Sequence, residues 1–320
     1  MKRITMNKDN DITLQSGWDM FKRYCKIKNL AKHTIRYYSK CYNYFLRFLD
    51  DKLDEDKEMK INNINKKMVE EFSLWLDNTY NMKNTTINTR LRGIRAFVYY
   101  LMEQKYIEGF KVDLLRSDKA IKETYTDEEL ERLLEKPDLK KCTFAEYRNW
   151  VIVNFLLSTG IRSRSLINIK VNDIDLDDSV VYIRTVKNRK QQVIPLSKTL
   201  IKILSDYLIY RNGSDNEYLF CNAYGNKLKS SSLNSAIRRY NLRRKVNKTS
   251  IHLFRHTFAK KYILAGGDMF RLQKILGHSS LSVVKEYVNL FSDDLKEDFD
   301  RYNPLEQLKQ RKGKTIKIKK

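Results

Sequence analysis

The chain has little of what braces an exported protein. Its four cysteines, Cys25, Cys41, Cys142 and Cys221, lie far apart with no Cys-x-x-Cys pair. That argues against a disulfide framework and a cysteine-based zinc site, and it fits a reducing compartment. The longest apolar run, residues 150–157, is interrupted by Asn154 and is too short to cross a bilayer. The first residues, MKRITMNKDND, are polar and carry no secretory leader. No internal repeat or low-complexity tract precedes the C-terminal tail. The expectation is a soluble, cytoplasmic protein without a membrane partner.

Acid is also scarce where it matters. The 320 residues carry a formal net charge of +24, an excess that points to a polyanionic partner. A lysine-rich drift of an AT-rich genome would spread that charge evenly. Instead, residues 218–267 hold eleven Lys/Arg and no Asp or Glu. With 42% hydrophobic residues, a chain of this length can build two domains with cores of their own.

Apolar stripes at helical spacing predict four helices over residues 13–105. Leu14, Trp18, Phe21 and Cys25 mark the first, and Ile35, Tyr38, Tyr42, Phe45 and Leu49 the second. Val69, Phe72 and Leu76 mark the third, and Ile87, Leu91, Ile94, Val98 and Leu101 the fourth. The acid-rich stretch 50–60 lacks periodicity and reads as a solvated loop. Residues 1–108 thus form a small helical domain, and 109–125, charged and aperiodic, a linker. A Thr126/Glu129 capping box opens the next helix, and another spans 144–158 before Gly160. Alternation over 179–186 and 191–196 predicts a hairpin with a basic tip. Ser197 caps a helix to Tyr210, and an arginine-dense helix covers 230–245. The fold class is mainly α with a small β hairpin or sheet; residues 126–303 form the second domain and 304–320 a basic tail.

Residues 250–290 concentrate the chemistry. Ser250 caps a helix that Gly266 and Gly267 stop, Asp268 caps a second that ends at Gly277, and Ser279 or Ser280 opens a third. Three of the four histidines, His252, His256 and His278, fall here. His252 and Arg255, three apart, reach the same side of one helix. Tyr287 follows nine residues after His278. A cationic pocket with a phenol beside it suits an anion. His252 and His256, four apart, invite a zinc reading. However, Leu253 stands where a His-Glu-x-x-His motif needs its glutamate, and no third ligand is evident; His256 reads as a buried structural histidine. No Asp/Glu cluster for two-metal catalysis accompanies the pocket, so no cofactor is expected.

The ordered set of HLFRH, LGH and a tyrosine nine residues on, with Arg162 in Thr159-Gly160-Ile161-Arg162, resembles the tyrosine recombinases, the phage-integrase and XerC/XerD-like family. The resemblance covers roughly residues 13–303, with the specific motifs confined to the second domain. It implies a helical SAM-like core-binding domain that grips the far side of a duplex, followed by a mixed α+β catalytic domain. It implies Tyr287 as nucleophile, Arg162 and Arg255 on the non-bridging oxygens, and His252 as proton acceptor. His278 holds a phosphate oxygen, and Lys187 on the hairpin is the general acid, with Lys190 the fallback. These roles suit the residue types. Arginine offers a fixed fork that stays protonated. A free phenol is only about one part in a thousand phenolate at pH 7, so it needs cations and a base nearby. In one departure, Ser165 stands three residues after Arg162, where the family usually carries an acid.

The expected partners are double-stranded DNA recombination sites, bound by a monomer that becomes a homo-tetramer in the synaptic complex. Candidate DNA contacts are Lys32, Arg36, Thr86, Arg90 and Arg92 in the first domain, and Lys190, Arg238, Arg239, Arg243, Arg244 and Lys245 in the second. The implied biology is integration or excision of a mobile element, or Xer-type resolution, in a compact enzyme without the arm-binding domain of many phage integrases. Two other readings stand beside it: a non-catalytic DNA-binding protein that kept the fold, and a type IB topoisomerase-like relaxing enzyme.

Overall fold

The computed structural model describes residues 12–52, 59–117, 123–184 and 192–277. The chain divides into two compact units, Met1–Ala120 and Ile121–Lys320.

In the first unit, helices α1 (Leu14–Ile27), α2 (Lys32–Lys52) and α3 (Lys66–Tyr80) all pack on α4 (Asn84–Glu103). Caps fix two starts: Thr13 accepts from the Ser16 N–H, and Asn65 from that of Met68. The expected stripes of α1, α3 and α4 are buried throughout. On α2 the stripe is wider, because Cys41 and Phe48 join Tyr42, Phe45 and Leu49 in the core while Ile35 and Tyr38 stay half-buried. Trp18 stacks on Tyr42 at 4.1 Å, and Phe97 meets both rings edge-on, the arrangement their quadrupoles favour. Gly93 lets α2 and α4 approach: a β-carbon there would overlap the Cys41 sulfur.

The stretch expected as a linker has no helix or strand over 109–117, yet it is tied down. Asn88 donates to the Leu115 carbonyl and accepts its N–H, both at 2.8 Å, and Val112 is buried.

The second unit is built around α6 (Phe144–Thr159), which is buried on nearly every side. Around it pack α5 (Asp127–Leu134), α8 (Lys198–Arg211), α9 (Ser230–Arg243) and α10 (Ile251–Leu264). Its Val151, Ile152, Val153, Phe155 and Leu156 are all buried, each contributing about 1.5–3 kcal/mol of apolar burial. The expected capping box of Thr126 and Glu129 opens α5. A short α7 (Ser163–Leu166) and a three-stranded antiparallel sheet follow: β1 (Ile174–Asp175), β2 (Val180–Ile183) and β3 (Gln192–Pro195), in that order. The β2–β3 hairpin is as expected, with Ile183 paired to Gln192. β1 is an addition: two residues are too few to carry any periodicity. Ser197 caps α8, accepting from the Leu200 N–H. α11 (Met269–Leu276) packs its buried Leu272 and Leu276 with Ala259 of α10 and lies against β3.

Candidate active site

The site begins with how α6 ends. Thr159 donates to the Phe155 carbonyl at 2.6 Å, and Gly160 takes the left-handed conformation (φ 60°) with its N–H on the Leu156 carbonyl. Glycine is needed here on two counts. An L side chain rarely adopts that φ, and a β-carbon would come within 2.5 Å of Phe258 and 2.8 Å of Leu276. Ile161 is buried, and Arg162 follows as the extended residue that opens α7.

α10 presents the second group. Its apolar side, Ile251, Phe254 and Ala259, is buried, and His252 is exposed one turn before Arg255. Arg255 is only 7% exposed. Its fork spans two helix ends: Nη1 donates to the Gly160 carbonyl and Nη2 to that of Leu276, both at 2.7 Å. Ser250 precedes the helix as expected, but its side chain makes no capping bond.

α11 brings these together. Asp268 caps its start, accepting from the Arg271 N–H at 2.8 Å, and Gly277 ends it in the left-handed conformation (φ 61°). The last turn of a helix leaves carbonyls without intrahelical donors and carries the negative end of its dipole. Here Arg255 takes the Leu276 carbonyl, and Arg162 Nη2 the Gly277 carbonyl at 3.2 Å. Two guanidiniums drawn from points 93 residues apart therefore meet on adjacent peptide groups. The next residue in the chain is His278. His278, Tyr287, Lys187 and Lys190 lie outside the described residues.

Ser165, where an acid was expected by resemblance, is buried in α7. His256 is half-buried, less than expected, and engaged in a contact. Among the described residues no group of three or more His, Cys, Asp or Glu is gathered that could hold a metal. Several described tyrosines are poor nucleophiles by environment. Burial pushes the phenols of Tyr42, Tyr125, Tyr207 and Tyr240 up, and that of Tyr147 up to about 12.

The candidate DNA contacts divide in two. Lys32 and Arg36 are exposed one turn apart on α2, Thr86 and Arg92 are exposed on α4, and Arg238, Arg239, Arg243 and Lys245 are exposed on or just after α9. Arg90 and Arg244 are engaged within the protein. Arg90 is half-buried over the Tyr44 ring at 4.5 Å. Arg244 lies over Tyr240 at 3.7 Å, with Glu146 at 4.0 Å and 13% of its side chain exposed.

Two supports escaped the sequence reading. Tyr125, at the end of the expected linker, is tied to α10: its N–H donates to Thr257 Oγ1 at 2.9 Å, and its ring packs on Phe254. Its hydroxyl donates to the Lys248 carbonyl and accepts from Asn241. Arg148, 5% exposed inside α6, donates to the Cys221 carbonyl at 2.7 Å and to Asn149, and burial lowers its pKa. Its only sequence signal is a charge inside an apolar helix, which must find a partner.

A helical unit thus precedes a mixed unit in which two arginines gather on one helix end. Comparison with known proteins makes that specific. Residues 18–113 match the phage integrase SAM-like domain and residues 123–293 the phage integrase family. The tyrosine recombinase XerC of Leptospira interrogans is 28% identical over 291 residues, covering 89% of this chain and 92% of the relative. The XerD of Staphylococcus haemolyticus is 30% identical over 221 residues, covering 66% and 74%. Among solved structures, the XerH recombinase bound to a palindromic difH substrate aligns with a TM-score of 0.67 at 20% identity, covering 91% of this chain and 90% of that one. A lambda integrase dimer bound to a COC′ core site aligns at 0.64 and 18%, covering 85% and 97%. The chain belongs to the phage integrase family, the tyrosine recombinases.

Proposed function

We propose that this protein is a site-specific DNA recombinase that cuts and rejoins DNA through Tyr287. The phenol oxygen attacks the scissile phosphorus, the bond to the 5′-oxygen breaks, and a 3′-phosphotyrosyl link and a 5′-hydroxyl result. A 5′-hydroxyl from the partner strand then attacks that link and releases the phenol, so bond energy is conserved without ATP or a metal. Two such exchanges pass through a Holliday junction within a tetramer on two duplexes. Arg162 and Arg255 hold the non-bridging oxygens as charge builds, and His252 accepts the phenol proton. Lys187 protonates the departing 5′-oxygen, and His278 donates to a phosphate oxygen. The helical unit grips the duplex through Lys32, Arg36, Thr86 and Arg92, and Arg238, Arg239, Arg243 and Lys245 add phosphate contacts from the catalytic unit. The biological role is integration or excision of a mobile element, or chromosome-dimer resolution.

The observation that carries this reading is the shared end of α11, where Arg162 and Arg255 bond the two peptide groups that precede His278. DNA binding alone needs no such paired cations on one helix end, with a histidine next in sequence and a tyrosine nine residues further on. Incubation with a nicked suicide duplex tests it: the wild type should form a covalent protein–DNA adduct and Tyr287→Phe none. Absence of an adduct from the wild type would leave a DNA-binding protein, and an adduct without strand exchange between two labelled duplexes would leave a relaxing enzyme.

A further inference from the structure

Four consecutive carbonyls end α11, and the structure supplies side-chain donors to all of them. Arg255 takes Leu276 and Arg162 takes Gly277. The two before them, Lys274 and Ile275, both accept from one amide: Gln192 Nε2 donates to Lys274 O at 3.2 Å and also to Ile275 O. Gln192 is the first residue of β3, paired with Ile183 of β2. Its amide oxygen faces Gly277 so closely that a β-carbon there would lie 2.7 Å from it. The left-handed φ calls for glycine here, and a β-carbon would also push the Gln192 amide away from the helix end.

We propose that Gln192 is a positioning residue for the recombination chemistry. It fixes the last turn of α11 so that Arg162 and Arg255 meet the phosphate in the right geometry, and it rests on the reading of these arginines given above. Three elements that arrive from different parts of the chain converge on this helix end: β3 through Gln192, the α6–α7 connection through Arg162, and α10 through Arg255. Each guanidinium spends part of its fork on a carbonyl of this turn, so a shift of the turn moves both forks. Gln192 makes no demand on the phosphate itself. Its neutral amide satisfies the first two carbonyls and leaves the final two to the cations. A glutamate could not do this, since it lacks the donor and sets a carboxylate against the negative end of the helix.

The test uses the full chain with Gln192→Ala, Gln192→Glu and Gln192→Lys. Misplacing charged groups by about 1 Å costs about 100-fold in rate. Single-turnover adduct formation at saturating protein should therefore fall about 10- to 100-fold in Gln192→Ala and further in Gln192→Glu. DNA affinity should stay within about two-fold, because the residue touches no phosphate. Lysine donates and carries charge suited to a helix C-terminus, so Gln192→Lys should return most of the rate. Amide hydrogen exchange over 274–277, where the Gly277 N–H is bonded to the Lys274 carbonyl, should quicken in Gln192→Ala and Gln192→Glu but not in Gln192→Lys. That second readout does not depend on cleavage. If the wild type cuts nothing, the recombinase reading fails while the exchange result still decides the role of Gln192. Exchange unchanged in Gln192→Ala, or cleavage at the wild-type rate in a folded Gln192→Ala, would overturn the inference. Equal rate losses in all three variants, following their thermal stability, would reduce Gln192 to a packing residue.

Discussion

Arg255 and Gly160, 95 residues apart, are joined by a 2.7 Å hydrogen bond from the guanidinium to the carbonyl that closes α6. The same guanidinium closes α11, so one buried side chain holds both helix ends. A lysine cannot replace it, because a single ammonium lacks the planar fork. Arg255→Lys is expected to abolish adduct formation to below about 1% of wild type. It should also cost about 1–3 kcal/mol by leaving a buried carbonyl without its donor. Arg162→Lys should lose activity comparably but cost under about 1 kcal/mol, since Arg162 is half-buried and its described bond to Gly277 is longer, at 3.2 Å. Urea denaturation beside the suicide-duplex assay separates the two effects, and equal stability losses would contradict this division.

Gly160→Ala tests the backbone side of the same joint. The φ of 60° disfavours any L residue, and the new methyl would press on Phe258 and Leu276. A destabilisation of about 1–3 kcal/mol is expected, read as a lower denaturation midpoint with unchanged slope. Activity should fall as well, because Arg162 begins two residues later. A neutral result would mean that α6 ends without needing this glycine.

Much of this architecture was legible in the sequence. Leu14, Trp18, Phe21 and Cys25 recur at helical spacing, and the core they form follows from that period alone. Thr126 with Glu129, and Asp268 before α11, are caps whose chemistry is local. The pairing of Arg162 with Arg255 was implied by motif, but the means of it was not. Carbonyls carry no sequence signature, so nothing marked the end of α11 as the meeting point. Gln192 was invisible for the same reason: its partners are backbone atoms more than eighty residues away. Arg90 and Arg244 misled in another way. Arg90 read as a surface charge because its ring, Tyr44, lies on another helix and is evident only once α2 and α4 pack, whereas Arg244 follows Tyr240 by four residues on one helix, a spacing already present in the sequence.

Acid should loosen the second unit through Glu129. Burial alone would raise its pKa, but the Lys248 ammonium at 2.8 Å and the Thr126 N–H outweigh burial and hold it below its ordinary value. The unfolded chain therefore binds the proton more readily. The stabilisation is full above the unfolded pKa of about 4.3 and is lost as pH falls through the lower folded value. Lys248→Met should cost about 1 kcal/mol at pH 7. The gap to wild type should shrink between about pH 5 and pH 3. A gap constant across that range would place the role of Lys248 in its bond to the Thr124 carbonyl instead.

The split among the arginines gives a prediction for DNA binding itself. A cation that neutralises a phosphate releases condensed counterions, and removing it lowers the slope of log K against log salt by about 0.9 on duplex DNA. The exposed Lys32, Arg36, Arg92, Arg238, Arg239 and Arg243 are expected to behave this way when changed singly to Gln, with affinity falling evenly across sequences. Arg90 and Arg244 are not. Their guanidiniums cover Tyr44 and Tyr240, contacts worth about 0.5–2 kcal/mol. Arg90→Gln and Arg244→Gln should therefore lower the thermal midpoint and leave the salt slope unchanged. The two sets thus respond in opposite channels, and filter-binding titrations from 50 to about 200 mM salt beside thermal melts distinguish them. A unit drop in slope for Arg244→Gln would mean that this arginine leaves its ring for the duplex. An unchanged slope for the exposed set would take the grip away from α2, α4 and α9.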